Sequence, residues 1–244
     1  MKFFVGLHRP GHAKNFDRAC ISIGVLRDRK GPFEVGDWIL DSQAFMTILK
    51  YSGYPYPPRE YAHQILRWKG NGNLLAAVTQ DYMCEPAMLK ITGLTIPDHQ
   101  RLTIERYDAL VAAETGVYIM PVLQGYEPQD YVNHIGMYGE RLEHGMWVGV
   151  GSVCKRNGSP ARILDVLVAI KSERPDLRLH GFGLKTTALA HGTITALLES
   201  ADSMAWSYAA RRQGRNANDW REAMKFKARI ELAPGSYQKH FIEL

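Results

Sequence analysis

Apolar runs that break off into a polar or glycine-containing turn recur along this chain. They are Trp38-Ile-Leu-Asp-Ser42, Leu75-Ala-Ala-Val-Thr-Gln-Asp81, Tyr118-Ile-Met-Pro-Val-Leu-Gln124, Trp147-Val-Gly-Val-Gly151, Leu177-Arg-Leu-His-Gly-Phe-Gly183 and Ser200-Ala-Asp-Ser-Met-Ala-Trp206. Each reads as a buried strand that surfaces at an Asp, Gln, His or Gly. Met1 to Leu7 reads as a first strand, and Ile21-Ser-Ile-Gly-Val-Leu26 is the weakest candidate, so seven or eight strands are expected. Between them the apolar spacing changes to a helical period. Helices are predicted over Pro58–Trp68, His99–Thr115 with Gly116 as the stop, Glu127–Gly139, Ser159–Ile170, Thr186–Leu198 and Ala209–Lys227. Ser159 is placed to cap its helix, with Pro160 in the first turn. Strands alternating with helices imply βα units and a parallel sheet. No G-x-G-x-x-G follows the first strand and no Walker loop is present. The expected fold is therefore an α/β (β/α)8 TIM-type barrel with irregular or missing elements, its chemistry at the carboxyl ends of the strands.

Length agrees with this reading, since 244 residues is close to a single barrel and no linker divides the middle. One barrel domain over 1–244 is expected, with a basic helical segment at about 209–230. The opening Met1-Lys-Phe-Phe-Val-Gly-Leu7 is too short for a signal peptide, and nothing approaches a membrane span. Cys20, Cys84 and Cys154 are widely spaced and suggest neither zinc nor a disulfide framework, so a reducing cytoplasm is the expected setting. A net charge of +5 is mild, but its cations cluster: Lys155-Arg156, Arg211-Arg212-Gln-Gly-Arg215, then Arg221, Lys225, Lys227 and Arg229. Such a cluster suits a polyanion, and equally a solvated face.

Three acids stand at strand ends: Asp41, Asp81 and Asp202. Any one could be a turn residue or helix cap. Three facing a single mouth suit glycosyl transfer, in which one carboxylate attacks an anomeric carbon and another moves protons. The Gln124 amide both donates and accepts, which suits the edge of a flat heterocycle or a backbone turn. Gly149 and Gly151 allow close backbone approach or simply pack. Phe45, His180 and Phe182 offer flat surfaces near the same mouth. His8, His12 and His180 lack metal-ligand spacing, Ser42 and Ser152 lack a nucleophile elbow, and Cys154 lacks a partner base.

The motifs Leu40-Asp-Ser-Gln-Ala-Phe45, Val122-Leu-Gln-Gly125, Val148-Gly-Val-Gly151 and His180-Gly-Phe-Gly183 resemble, in order, those of the tRNA-guanine transglycosylases. With Ala201-Asp-Ser-Met-Ala-Trp-Ser207, the chain looks closest to the short DpdA-type branch, encoded by phages and bacterial gene clusters, which places 7-deazaguanine bases into DNA. The resemblance implies that an Asp attacks the sugar, guanine departs and a free base such as 7-cyano-7-deazaguanine enters. It implies Asp41 as acid/base, Asp81, Gln124 and the backbone near Gly149, Gly151 and Gly181 as readers of the base, and Phe45 and His180 as its sandwich. The tRNA enzymes carry two aspartates where this chain has Asp202 and Ala205, so the nucleophile is Asp202 or Asp41. The tRNA enzymes' zinc site and RNA-binding domains are not seen here, which favours DNA over tRNA. No cofactor, no metal and no membrane partner is expected. A flipped nucleotide in duplex DNA would need phosphate holders, for which Lys155, Arg156, Lys185, Arg211, Arg212 and Arg215 are the candidates. A tRNA enzyme, an N-glycosylase and a non-catalytic nucleic-acid-binding subunit remain rivals.

Overall fold

In the computed structural model, residues 1–153 and 159–232 are described. The strands are β1 (Lys2–Leu7), β2 (Arg18–Ser22), β3 (Asp37–Asp41), β4 (Asn73–Val78), β5 (Ile119–Met120), β6 (Val122–Leu123), β7 (Trp147–Val150), β8 (Arg178–Gly181) and β9 (Leu198–Ser203). All are parallel and run in the order β5-β4-β3-β2-β1-β9-β8-β7-β6. The two ends of that order are consecutive in the chain, separated only by Pro121. The predicted single strand Tyr118–Gln124 is thus divided. Proline has no N–H to add to a ladder, and the stave changes partner at that point. Tyr118 and Met120 carbonyls accept from Ala77 and Thr79 on the β4 side, while Pro121 and Leu123 carbonyls accept from Gly149 and Gly151 on the β7 side. The barrel is therefore nearly closed, with its seam where β5 meets β6.

Period-two alternation sorts the strand residues into two cores. Val5, Ile21, Trp38, Leu40, Ala77, Val148, Leu179 and Ala201 face outward, under the helices. Phe4, Cys20, Ile39, Ala76, Val78, Met120 and Val122 fill the lumen with Trp147 and Phe182. The outer layer comprises α1 (Ala44–Tyr51), α2 (Pro58–Trp68), α3 (Pro86–Thr92), α4 (Ile96–Val111), α5 (Pro128–Tyr138), α6 (Pro160–Glu173), α7 (Thr186–Leu189), α8 (Gly192–Leu197), α9 (Ala205–Arg212) and α10 (Trp220–Glu231). No α-helix follows β1 or β2, where short 3-10 turns stand instead (Pro10–Asn15 and Ile23–Val25). The C-terminal helix α10 covers β1 in their place, with the Phe3 and Phe226 rings 6.1 Å apart.

Several expected boundaries move for local reasons. The strand placed at Ile21–Leu26 is instead Arg18–Ser22, and it ends there because Ser22 accepts from Gly24 N–H and turns the chain. The helix expected from His99 starts at Ile96, behind a capping box of Thr95 and Asp98, and ends before Gly116. The segment read as one helix over Thr186–Leu198 is two short helices, and Leu198 already belongs to β9. The basic segment likewise breaks between α9 and α10. Ser159 sits at the N-cap of α6 without a side-chain cap bond.

Candidate active site

Alternation on β3 and β9 decides which acids meet. Trp38 and Leu40 point outward, so Ile39 and Asp41 point into the lumen; Ala201 points outward, so Ser200 and Asp202 point in. In register, Asp41 lies beside Ser22 and Asp202 beside Phe4, with only β1 and β2 between the two acids. Burial raises Asp41 from the ordinary 3.8 to about 6, and the Asp202 charge adds to that rise. The Gln43 N–H, 3.0 Å from Asp41 Oδ2, and the Ser22 hydroxyl act in the opposite direction. The Cys20 thiol is pushed up by burial and then by both carboxylates, which places all three groups around one part of the lumen.

Asp202 is held on one oxygen. Its Oδ1 accepts from Gly183 N–H at 3.0 Å and lies 3.4 Å from His180 Nε2. His180 is fully buried, its ring edge-on to Phe4, Trp147 and Phe182 and its Nδ1 2.8 Å from Ser200 Oγ. A ring with no exposed face has nothing to stack on a base, so its neighbour is Asp202 rather than the mouth. Phe45, on the first turn of α1, is half-buried and packs against the cluster of Ala44, Ile48, Tyr82, Met83 and Met88.

Asp81 follows β4 and is held by a chain of side chains. Gln124 Nε2 donates to Asp81 Oδ2, and Gln124 Oε1 accepts from Ser152 Oγ at 2.7 Å. Ser152 Oγ also lies 3.0 Å from Glu85 Oε2 and accepts from Cys84 N–H at 2.9 Å. The backbone of Gln124 is clamped in turn: its N–H donates to His134 Nδ1 and its carbonyl accepts from Gln100 Nε2. Burial lowers His134 to about 3, so this ring stays neutral. Gln124 is fully buried, and therefore aims Asp81 rather than reaching the mouth itself. Tyr54 OH donates to the Asp81 carbonyl at 3.0 Å. Burial, then the Asp41 charge, raises the Asp81 carboxyl from 3.8 to about 7.

These raised carboxyls have a consequence for stability. A carboxyl whose folded pKa exceeds its unfolded one favours the native state most when protonated. Its penalty is absent below pH 4 and is complete once pH has risen through about 7. Asp81→Asn removes the charge at every pH. The variant should be more stable than the parent by roughly 2–4 kcal/mol at pH 8, and nearly equal to it at pH 4. Thermal melts of both proteins across that range check this.

The space beside each of the three glycines is already filled. A Cβ on Gly149 would overlap the Phe182 ring, one on Gly151 the Gln124 amide and one on Gly181 the Leu184 side chain. Of the proposed phosphate holders, Arg211 and Arg212 are exposed on α9, and Lys185 is exposed where α7 begins. Arg211 is close enough to His8, at the end of β1, to help lower its pKa after burial has done most of that. Arg215 is paired with Glu222. Lys155, Arg156 and Cys154 lie outside the described residues. Glu85, Ser200 and Cys20 were not singled out from the sequence. Ser200 was legible as the residue two before Asp202 on one strand face, and Glu85 as an acid four after Asp81 and just ahead of Pro86.

Among the described residues, no helix is long and apolar enough to cross a membrane. No curated protein matches the chain. A family profile matches residues 2–222, nearly the whole of the barrel just described, and by it the chain belongs to DpdA, the family described as DeoxyPurine in DNA protein A.

Proposed function

We propose that this protein is a DNA-guanine transglycosylase that replaces guanine in DNA with a free 7-deazaguanine base. The observation that carries the reading is the convergence of Asp41 and Asp202 on one lumen, each perturbing the same thiol, with Asp81 close enough to be raised by Asp41. In the first half-reaction Asp202 forms a bond to C1′ of the nucleotide as the C1′–N9 bond to guanine breaks. The leaving base takes a proton from Asp41. In the second half-reaction the incoming base gives its N9 proton to Asp41 and attacks C1′, and the sugar–aspartate ester breaks. A carboxyl held near 6 is suited to both transfers, since it is neither always charged nor always neutral. Ionised Asp81 would accept from the N1–H and 2-amino groups shared by guanine and 7-deazaguanines, and Phe45 would supply a stacking face.

The polymer must be held by its phosphates while one nucleotide is extruded. Arg211 and Arg212, exposed on α9, would serve here, whereas Arg215 is already paired with Glu222. Binding to DNA should weaken as salt rises. Arg211→Ala and Arg212→Ala should each reduce the slope of log K against log salt by about one, and Arg215→Ala should change it little. Fluorescence anisotropy with a labelled duplex at graded salt measures this.

Incubation with labelled guanine and either DNA or tRNA tests the reaction class. Label entering DNA supports the proposal. Label entering only tRNA identifies a tRNA enzyme, release of guanine without exchange identifies a glycosylase, and no reaction with any polymer leaves only a binding protein; each of these three overturns it.

A further inference from the structure

We infer that His180 is a positioning residue that holds Oδ1 of Asp202, so that Oδ2 is the oxygen that bonds to the sugar and later leaves it. The inference rests on Asp202 being the nucleophile. Its starting point is a set of contacts that base recognition does not use. Trp147 Nε1–H donates to Ser200 Oγ at 2.8 Å, and the same oxygen is 2.8 Å from His180 Nδ1. With one Ser200 lone pair taken by the indole, the serine hydroxyl turns its proton to Nδ1. That ring nitrogen is then the acceptor, and the ring N–H is on Nε2. Nε2 is wholly buried and has no hydrogen-bond partner among the described residues. Its nearest charged neighbour is Asp202 Oδ1, at 3.4 Å.

Gly183 N–H reaches the same oxygen at 3.0 Å. Oδ1 thus carries the Gly183 bond and is also the oxygen that the unpartnered Nε2 faces, and neither contact is to Oδ2. In the ester, Oδ1 is the carbonyl oxygen and Oδ2 carries the bond to C1′. When the second half-reaction breaks that bond, the electron pair stays on the carboxylate, and Oδ1 takes its share of the charge with the Gly183 N–H in place and Nε2 near enough to close in on it. A carboxylate is a stronger acceptor than an ester carbonyl. The donors consequently favour free carboxylate over ester and keep the intermediate from accumulating. Phe4, Trp147 and Phe182 close off the ring on the lumen side, so the imidazole cannot swing away to meet solvent.

The test compares the parent protein with His180→Leu, His180→Gln and Ser200→Ala in three assays: base exchange, the KM for DNA, and the fraction of oligonucleotide bound covalently on a denaturing gel. The Gln side-chain amide reaches about where Nε2 stands. His180→Leu should slow exchange about 100-fold, leave the KM for DNA within about threefold, and raise the trapped covalent fraction. His180→Gln should restore both exchange and the low covalent fraction. Ser200→Ala, which frees the ring to take either tautomer, should fall between them and covers the case in which the Leu variant does not fold. Exchange in all three variants at the parent rate, or slowed exchange with a smaller covalent fraction, overturns the inference. Failure of the parent to exchange at all would instead count against the transglycosylase reading.

Discussion

Asp202→Asn is expected to lower base exchange at least about ten-thousand-fold while DNA affinity changes by no more than about threefold. The amide oxygen of Asn can still accept from Gly183 N–H, so the local backbone has no reason to move. What is lost is the anionic oxygen that bonds to C1′, and with it the covalent route. No other acid of β9 lies beside this position in the lumen: Glu199 pairs with Lys2, and Ala205 already belongs to α9. Single-turnover exchange with a labelled base, measured beside an anisotropy titration, separates chemistry from binding. Retained exchange in this variant would transfer the nucleophile's role to Asp41.

Asp41→Asn is expected to be the second largest loss, about 100- to 10,000-fold in exchange, with a change in pH dependence that Asp202→Asn cannot show. Departure of guanine needs Asp41 protonated and entry of the new base needs it ionised. Parent exchange should therefore pass through a maximum between about pH 6 and about pH 7, where Asp41 and Asp81 titrate. In Asp41→Asn the contribution near pH 6 should vanish, and the remaining bend due to Asp81 should move below pH 7, because the Asp41 charge that helped raise it is gone. Exchange rates at saturating DNA across pH 5 to 8 measure this. An unchanged profile would remove Asp41 from proton transfer.

The acids at the strand ends were legible in the sequence because an apolar run that breaks off into a polar turn marks where a buried strand ends. Asp41, Asp81 and Asp202 each follow such a run, and β3, β4 and β9 deliver them as the pattern implies. Depth along a strand was not legible. His180 has the right parity to face inward, but only packing by Phe4, Trp147 and Phe182 shows that it lies below the mouth. What fills the space beside the glycines was not legible for a related reason: it is a neighbour's side chain, which sequence spacing cannot name. Pro121 reads as part of an apolar run, although its missing N–H is what lets the stave change partners. Helix α1 was hidden because Gln43 opens it in a left-handed conformation (φ 63°), without a side-chain cap bond to announce a helix start. The junction of α8 and β9 has no turn residue between Leu197 and Leu198, so a helical pattern runs on into a strand.

The central claim is that carboxylates from separate strands exchange a base in DNA. Its most direct test is mass spectrometry of the nucleosides released from DNA after incubation with the protein and a 7-deazaguanine. A 7-deazaguanine deoxynucleoside should appear as deoxyguanosine declines by the same amount, and neither change should occur with Asp202→Asn. Unaltered DNA nucleosides with the parent protein, or equal incorporation by Asp202→Asn, would contradict it.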